Sequence, residues 1–91
     1  MITAIVLINT ERKLIRQIGE ELSQIEGITE VFSVSGQYDL VAIIRLKNNE
    51  ALADLVTEKI TTVDGIIKTE SMVAFRMISK HDIASMFDLG G

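Results

Sequence analysis

Six segments in the order β-α-β-β-α-β predict an α+β domain in which a four-stranded antiparallel sheet carries both helices on one face. Three observations carry that prediction. Apolar residues recur at helical spacing in two stretches, Leu14 to Ile25 and Leu52 to Val63. Each stretch ends in an acidic residue and a glycine, Glu26-Gly27 and Asp64-Gly65, and an isoleucine then opens a β-rich run. The two central β-rich segments flank a turn signal, Ser35-Gly36-Gln37. Two β-α-β halves of this kind make the ferredoxin-like arrangement.

The elements follow in order. Ile2 to Ile8 is rich in β-branched residues and is expected to be a central strand. Asn9 or Thr10 is placed to cap the first helix, whose apolar stripe is Leu14, Ile15, Ile18, Leu22 and Ile25. Gly27 then takes the left-handed position past the helix end. Phe32 and Val34 belong to the second strand, Gly36 and Gln37 to a short hairpin loop, and Leu40 to Ile44 to a third strand buried on both faces. Asn48 or Asn49 caps the second helix, which carries Leu52, Leu55, Val56 and Ile60. Ile66 to Ile78 is the last strand, with Ile67, Thr69, Ser71, Val73, Phe75 and Met77 on one face and Lys68, Glu70, Met72, Ala74 and Arg76 on the other. That run is long for one strand, so its far end is expected to bend or to pair outside the parent sheet. Residues 1–78 make the domain; 79–91 make a tail in which Ile83, Met86 and Phe87 predict a short amphipathic helix.

Composition narrows the function. An apolar fraction of 47% in 91 residues, with only 4% aromatics, is more aliphatic surface than one small domain buries. The uncovered sheet face is therefore expected to close against a second copy, as a dimeric α+β barrel. A net charge of -4 leaves no surplus of cations for a phosphate backbone. The chain has no cysteine, which excludes disulfides, thiolate chemistry and sulfur-ligated metals, and its one histidine, His81, lies in the tail. Gly36 stands alone and makes no phosphate-cradling loop. No metal, cofactor or catalytic constellation is expected. Neither a signal-peptide layout nor a run of membrane-spanning length occurs, so the expected setting is the cytoplasm.

Two clusters can bind a small molecule. One is Gly36-Gln37-Tyr38-Asp39 at the hairpin; the other is Thr69-Glu70-Ser71, whose two hydroxyls share a strand face. Free backbone groups at a turn, beside paired hydroxyls, suit a zwitterion such as an amino acid. Each cluster also has a purely structural reading. Asp39 can bond to backbone and stabilise the turn beside a half-buried Tyr38 phenol, and Thr69 and Ser71 are ordinary strand residues.

Gly27-Ile28 leading to Val34-Ser35-Gly36-Gln37-Tyr38-Asp39-Leu40, followed by Asp64-Gly65-Ile66-Ile67-Lys68-Thr69-Glu70-Ser71, resembles the ligand-binding (RAM) domain of the Lrp/AsnC transcriptional regulators. The resemblance covers about Thr3 to Met77. It implies a βαββαβ fold that dimerises through its sheets, dimers that assemble into rings, and amino-acid effectors bound between dimers. It also implies that Gly36, Tyr38 and Asp39 help form the effector pocket, with Thr69 and Ser71 adding polar contacts. Family regulators begin with a helix-turn-helix domain, whereas strand one here begins at Ile2, so a stand-alone effector module with no direct DNA binding is expected. Such a module acts alone or joins a full-length regulator in a mixed oligomer. The alternatives are a small cofactor-free enzyme of monooxygenase or isomerase type on the same dimeric architecture, or a purely structural assembly unit. The enzyme reading is weakened by the absence of Trp and by the place of His81 outside the core plan.

Overall fold

A computed structural model of the chain describes residues 1–80. The expected order is observed: β1 (Ile2–Thr10), α1 (Ile15–Ser23), β2 (Ile28–Ser33), β3 (Leu40–Leu46), α2 (Asn49–Asp54) and β4 (Ile66–Val73). A 3-10 turn at Arg12–Leu14 leads into α1. Beyond α2 the chain stays helical through a wider π-type segment, Leu55–Lys59, and a 3-10 turn, Ile60–Thr62. The strands form one antiparallel sheet in the order β2-β3-β1-β4, so the first strand is central as its composition predicted.

Alternation along the strands separates the two faces of the sheet. Ala4, Val6 and Ile8 of β1 and Leu40, Ala42 and Ile44 of β3 point to the helices and are buried. Ile18 and Leu22 of α1 close over them, joined by Leu52, Leu55 and Ile60 from the second helical stretch. Ile5 and Leu7, with Val41 and Ile43 opposite them, point the other way and stay half-buried. Leu40 to Ile44 is thus fully buried on the helix side alone.

Helix ends follow the sequence in part. The Asn48 side chain accepts the Ala51 amide at 2.8 Å, which is the predicted cap of α2. The first helix is not capped by Asn9 or Thr10. Both are strand residues, the Thr10 hydroxyl donates to the Glu11 carbonyl at 3.1 Å, and the extended residue Glu11 leads into the 3-10 turn. Gly65 holds φ at 96°, and a Cβ there would fall 2.7 Å from a Leu14 methyl and 2.9 Å from an Ile18 methyl. The start of α1 therefore packs directly on the backbone that leads into β4.

The last strand departs from its expected extent. It ends at Val73 and not at Ile78, with the Ala74 amide making one further bond to the Thr3 carbonyl at 2.9 Å. A bulge also breaks its alternation: Asn9 pairs with Lys68 and Thr10 with Ile66, leaving Ile67 outside the register and 68% exposed. Ile66, not Ile67, therefore packs against the core. Among the described residues no helix is long and apolar enough to cross a membrane. His81 and the helix expected within 79–91 fall outside the described residues, apart from Ser79 and Lys80.

Candidate functional site

The hairpin between β2 and β3 is a six-residue loop, Val34 to Asp39, longer than the short loop the sequence predicts. The Val34 amide donates to the Asp39 carbonyl at 3.1 Å and closes its base. Gly36 holds φ at 107°, a conformation L side chains resist, although a Cβ there would meet nothing within 4 Å. Conformation, not space, calls for glycine at this position.

Three further bonds fix the loop to the end of β1. The Asp39 amide donates to the Ile8 carbonyl at 2.9 Å, and Asp39 Oδ2 accepts the Thr10 amide at 2.8 Å. The Asn9 side-chain amide donates to the Gln37 carbonyl at 2.7 Å. Asp39 thus takes over the end of β1 where regular pairing with β3 stops, and its carboxylate satisfies a partly buried backbone donor. This is the backbone-bonding role that the sequence allowed for it.

Tyr38 turns to the open face of the sheet. Its hydroxyl donates to Oε2 of Glu70 on β4. Glu70 pairs with Leu7, which fixes both on the open face, so the phenol reaches over the end of β1 to the edge strand. The hydrogen bond to the carboxylate raises the phenol above its ordinary pKa, with smaller contributions from desolvation and from the negative charge beside it.

The five candidate residues therefore do not converge within one chain. Gly36, Tyr38 and Asp39 share the loop. Thr69 and Ser71 pair with Ile8 and Val6 and so face the helix side, opposite to the Tyr38–Glu70 pair. Glu70 was placed on the opposite face of its strand from Thr69 and Ser71 by alternation, but nothing in the sequence joined it to Tyr38. The pairing register supplies that link. Among the described residues no group of three or more His, Asp or Glu side chains is arranged to hold a metal ion.

Two grooves flank the sheet. One, of about 510 Å³, lies over the open face at the start of β1, with Ile5, Ile43 and Arg45 on one side and Phe75 and Met77 on the other. The second, of about 480 Å³, runs between α1 and the edge strand β2, past Gly19 and Val31. None of the five candidate residues lines either groove.

Comparison with known proteins agrees with the fold. The Lrp/AsnC ligand binding domain matches residues 3–83. An HTH-type transcriptional regulator of Pyrococcus abyssi is 31% identical over 66 residues, which cover 72% of this chain and 44% of the regulator. The chain thus spans about half the length of the curated relatives it matches. A crystal structure of the Thermus thermophilus protein TTHA0845 superposes with a TM-score of 0.83 at 42% identity, over 88% of this chain and 100% of that one. A feast or famine regulatory protein from M. tuberculosis, complexed with L-methionine, shares the fold with a TM-score of 0.74 at 23% identity, over 88% of this chain and 54% of that one. A match over nearly the whole described length, with the same sheet and helix layout, means that this chain belongs to the Lrp/AsnC ligand binding domain family.

Proposed function

We propose that the protein is a cytoplasmic effector-binding module that recognises an amino acid and assembles through the open face of its sheet. It acts as a regulatory component, by itself or in a mixed oligomer with a full-length Lrp/AsnC regulator, and it does not bind DNA directly. It binds its ligand and does not transform it. The observation that carries the reading is the loop of Gly36, Tyr38 and Asp39, fixed to the central strand by hydrogen bonds while residues 33–37 stay exposed. A rigid base with free backbone groups above it suits a zwitterion, whose ammonium and carboxylate need acceptors and donors at fixed separation. Thr69 and Ser71 take part from a neighbouring copy, since within one chain they face away from the loop's phenol. L-methionine, the ligand complexed with the M. tuberculosis regulator, is a natural first probe.

A thermal-shift screen of the full chain against the twenty amino acids, with light scattering on the same samples, tests this. Binding stabilises the native state by about 2.7 kcal/mol when the free ligand is at a hundred times Kd, and the melting temperature rises accordingly. A selective shift that Tyr38→Phe or Asp39→Ala reduces supports the sensor. A flat screen with a stable oligomer favours the second reading, an assembly unit without a ligand, to which the Asp39–Thr10 bond lends support because it gives Asp39 a structural task.

A further inference from the structure

We infer that Glu70 and Lys68 are the side chains that read the two charges of the bound amino acid, the Glu70 carboxylate taking its ammonium and the Lys68 ammonium its carboxylate. The inference rests on the amino-acid reading proposed above. It assigns charge recognition to two residues of β4 that lie outside the loop.

Both residues point to the open face of the sheet, at the end where the loop lies. Lys68 pairs with Asn9 and Glu70 with Leu7. Two residues apart on one strand, they stand about 6.6 Å from each other with their side chains on the same side. The loop comes over them from β1: the Asn9 side chain donates to the Gln37 carbonyl, and the Tyr38 hydroxyl donates to Glu70. Edge strand, central strand and loop thus bring one cation and one anion to a single place, and both are exposed there.

At the other end of the same face the opposite charges pair with each other, Arg45 lying 3.7 Å from Glu30. At the loop end they do not. Glu70 turns to the phenol, and Lys68 has no hydrogen-bond or ion-pair partner among the described residues. Tyr38 holds the carboxylate by Oε2 and leaves its other oxygen for a donor. The negative charge is intact, because the raised phenol pKa keeps the proton on Tyr38. Asp39, the carboxylate within the loop, is engaged by the Thr10 amide at 2.8 Å, so Glu70 is the acceptor that remains for an ammonium.

The chemistry of the pair selects the class of ligand. An ionised glutamate only accepts hydrogen bonds and a lysine ammonium only donates them. An α-amino acid carries a donor-only ammonium and an acceptor-only carboxylate on one carbon, so it satisfies both residues at once, through charge-assisted hydrogen bonds. A simple amine satisfies only Glu70 and a simple carboxylic acid only Lys68. A zwitterion with both groups free is therefore favoured over either, while the loop's exposed backbone groups are left to read the rest of the molecule.

The test is calorimetric titration of the unaltered full chain, Glu70→Gln and Lys68→Gln. The probes are the amino acid of the twenty that gives the largest thermal shift, its N-acetyl derivative and its amide. Both positions are exposed, so the variants stay folded, which far-UV circular dichroism checks. We expect Glu70→Gln to raise Kd for the free amino acid by on the order of 10- to 100-fold, and Lys68→Gln by about 10-fold. Acetylation removes the ammonium, so the N-acetyl derivative should bind weakly and be indifferent to Glu70→Gln. The amide lacks the carboxylate and should be indifferent to Lys68→Gln. If the unaltered chain binds an amino acid and both variants bind it equally well, this assignment is refuted and the sensor stands. Losses that are the same for all three probes also refute it, since the residues then act on the fold and not on the charges. If none of the twenty amino acids binds the unaltered chain, the amino-acid reading falls and this inference with it.

Discussion

The two faces of the sheet are made by alternate residues of the same strands, and they have opposite fates. Val6 and Ile8 are sealed under the helices, while Ile5 and Leu7, their neighbours in β1, remain half-buried with no layer above them. Chemistry does not distinguish the two sets, since both are aliphatic and β-branched or leucine. What differs is whether this chain itself supplies a cover. The helix side is completed by α1 and the second helical stretch of the same chain. The open side has no such layer among the described residues, and the assembly proposed above would give its aliphatic residues a cover.

The largest expected effect is on the sealed face. Val6→Asp places an unpaired charge where there is no water, at a cost of about 5 kcal/mol or more, comparable with the whole stability of a small domain. Circular dichroism should show an unfolded chain. Ile5→Asp, one residue away, should change monomer stability by only about 1 kcal/mol in urea titration, with its effect appearing in assembly. Equal destabilisation by both would erase the distinction between the faces.

A middling effect belongs to the end of β1, where the faces meet the loop. Asp39→Ala leaves the partly buried Thr10 amide without its partner, at a cost of about 2 kcal/mol in chemical denaturation. Asp39→Asn keeps an acceptor oxygen and should recover part of that. If Asp39→Ala costs nothing, water replaces the carboxylate at the Thr10 amide, and the Asn9–Gln37 and Asp39–Ile8 bonds alone hold the loop to β1.

The smallest effect is read at Tyr38, the single tyrosine of the chain. Its folded pKa lies above the unfolded value because the Glu70 carboxylate accepts the phenol's proton in a hydrogen bond. A raised pKa gives a stabilisation that is fully present below the ordinary tyrosine value near 10 and is lost as pH rises through the folded value. Tyrosinate absorbance should therefore titrate at higher pH in the native protein than in urea. Glu70→Gln should bring the two curves together, and curves already coincident in the unaltered protein would show that the pair does not form in solution.

Much of this architecture was legible because it depends on local signals. Gly27 and Gly65 marked the two helix exits, and both hold positive φ. Asn48 marked a cap that is made. The aliphatic run of Ile2 to Ile8 marked a central strand. The misreadings are all non-local. The end of β4 is set by where β1 begins, since beyond Thr3 little partner strand remains for the residues after Ala74. The start of α1 is set by packing of Leu14 against Gly65, not by a capping side chain. The site was legible as a loop, through Gly36, Tyr38 and Asp39, but its bonds to Ile8, Thr10 and Glu70 depend on registers between strands. A sequence read along its length does not contain those registers.

The bulge at Ile67 sets how this chain tolerates changes of length. Lys68 pairs with Asn9 and Ile66 with Thr10, so the residue between them is surplus to the count of the ladder. Removing it would join two residues already in step and turn no other side chain over. Removing any single residue between Lys68 and Met72 would instead invert everything on one side of the cut. The strand thus has one place where shortening by a residue is silent, and it lies between the glycine turn at Gly65 and the first residue that faces the open side.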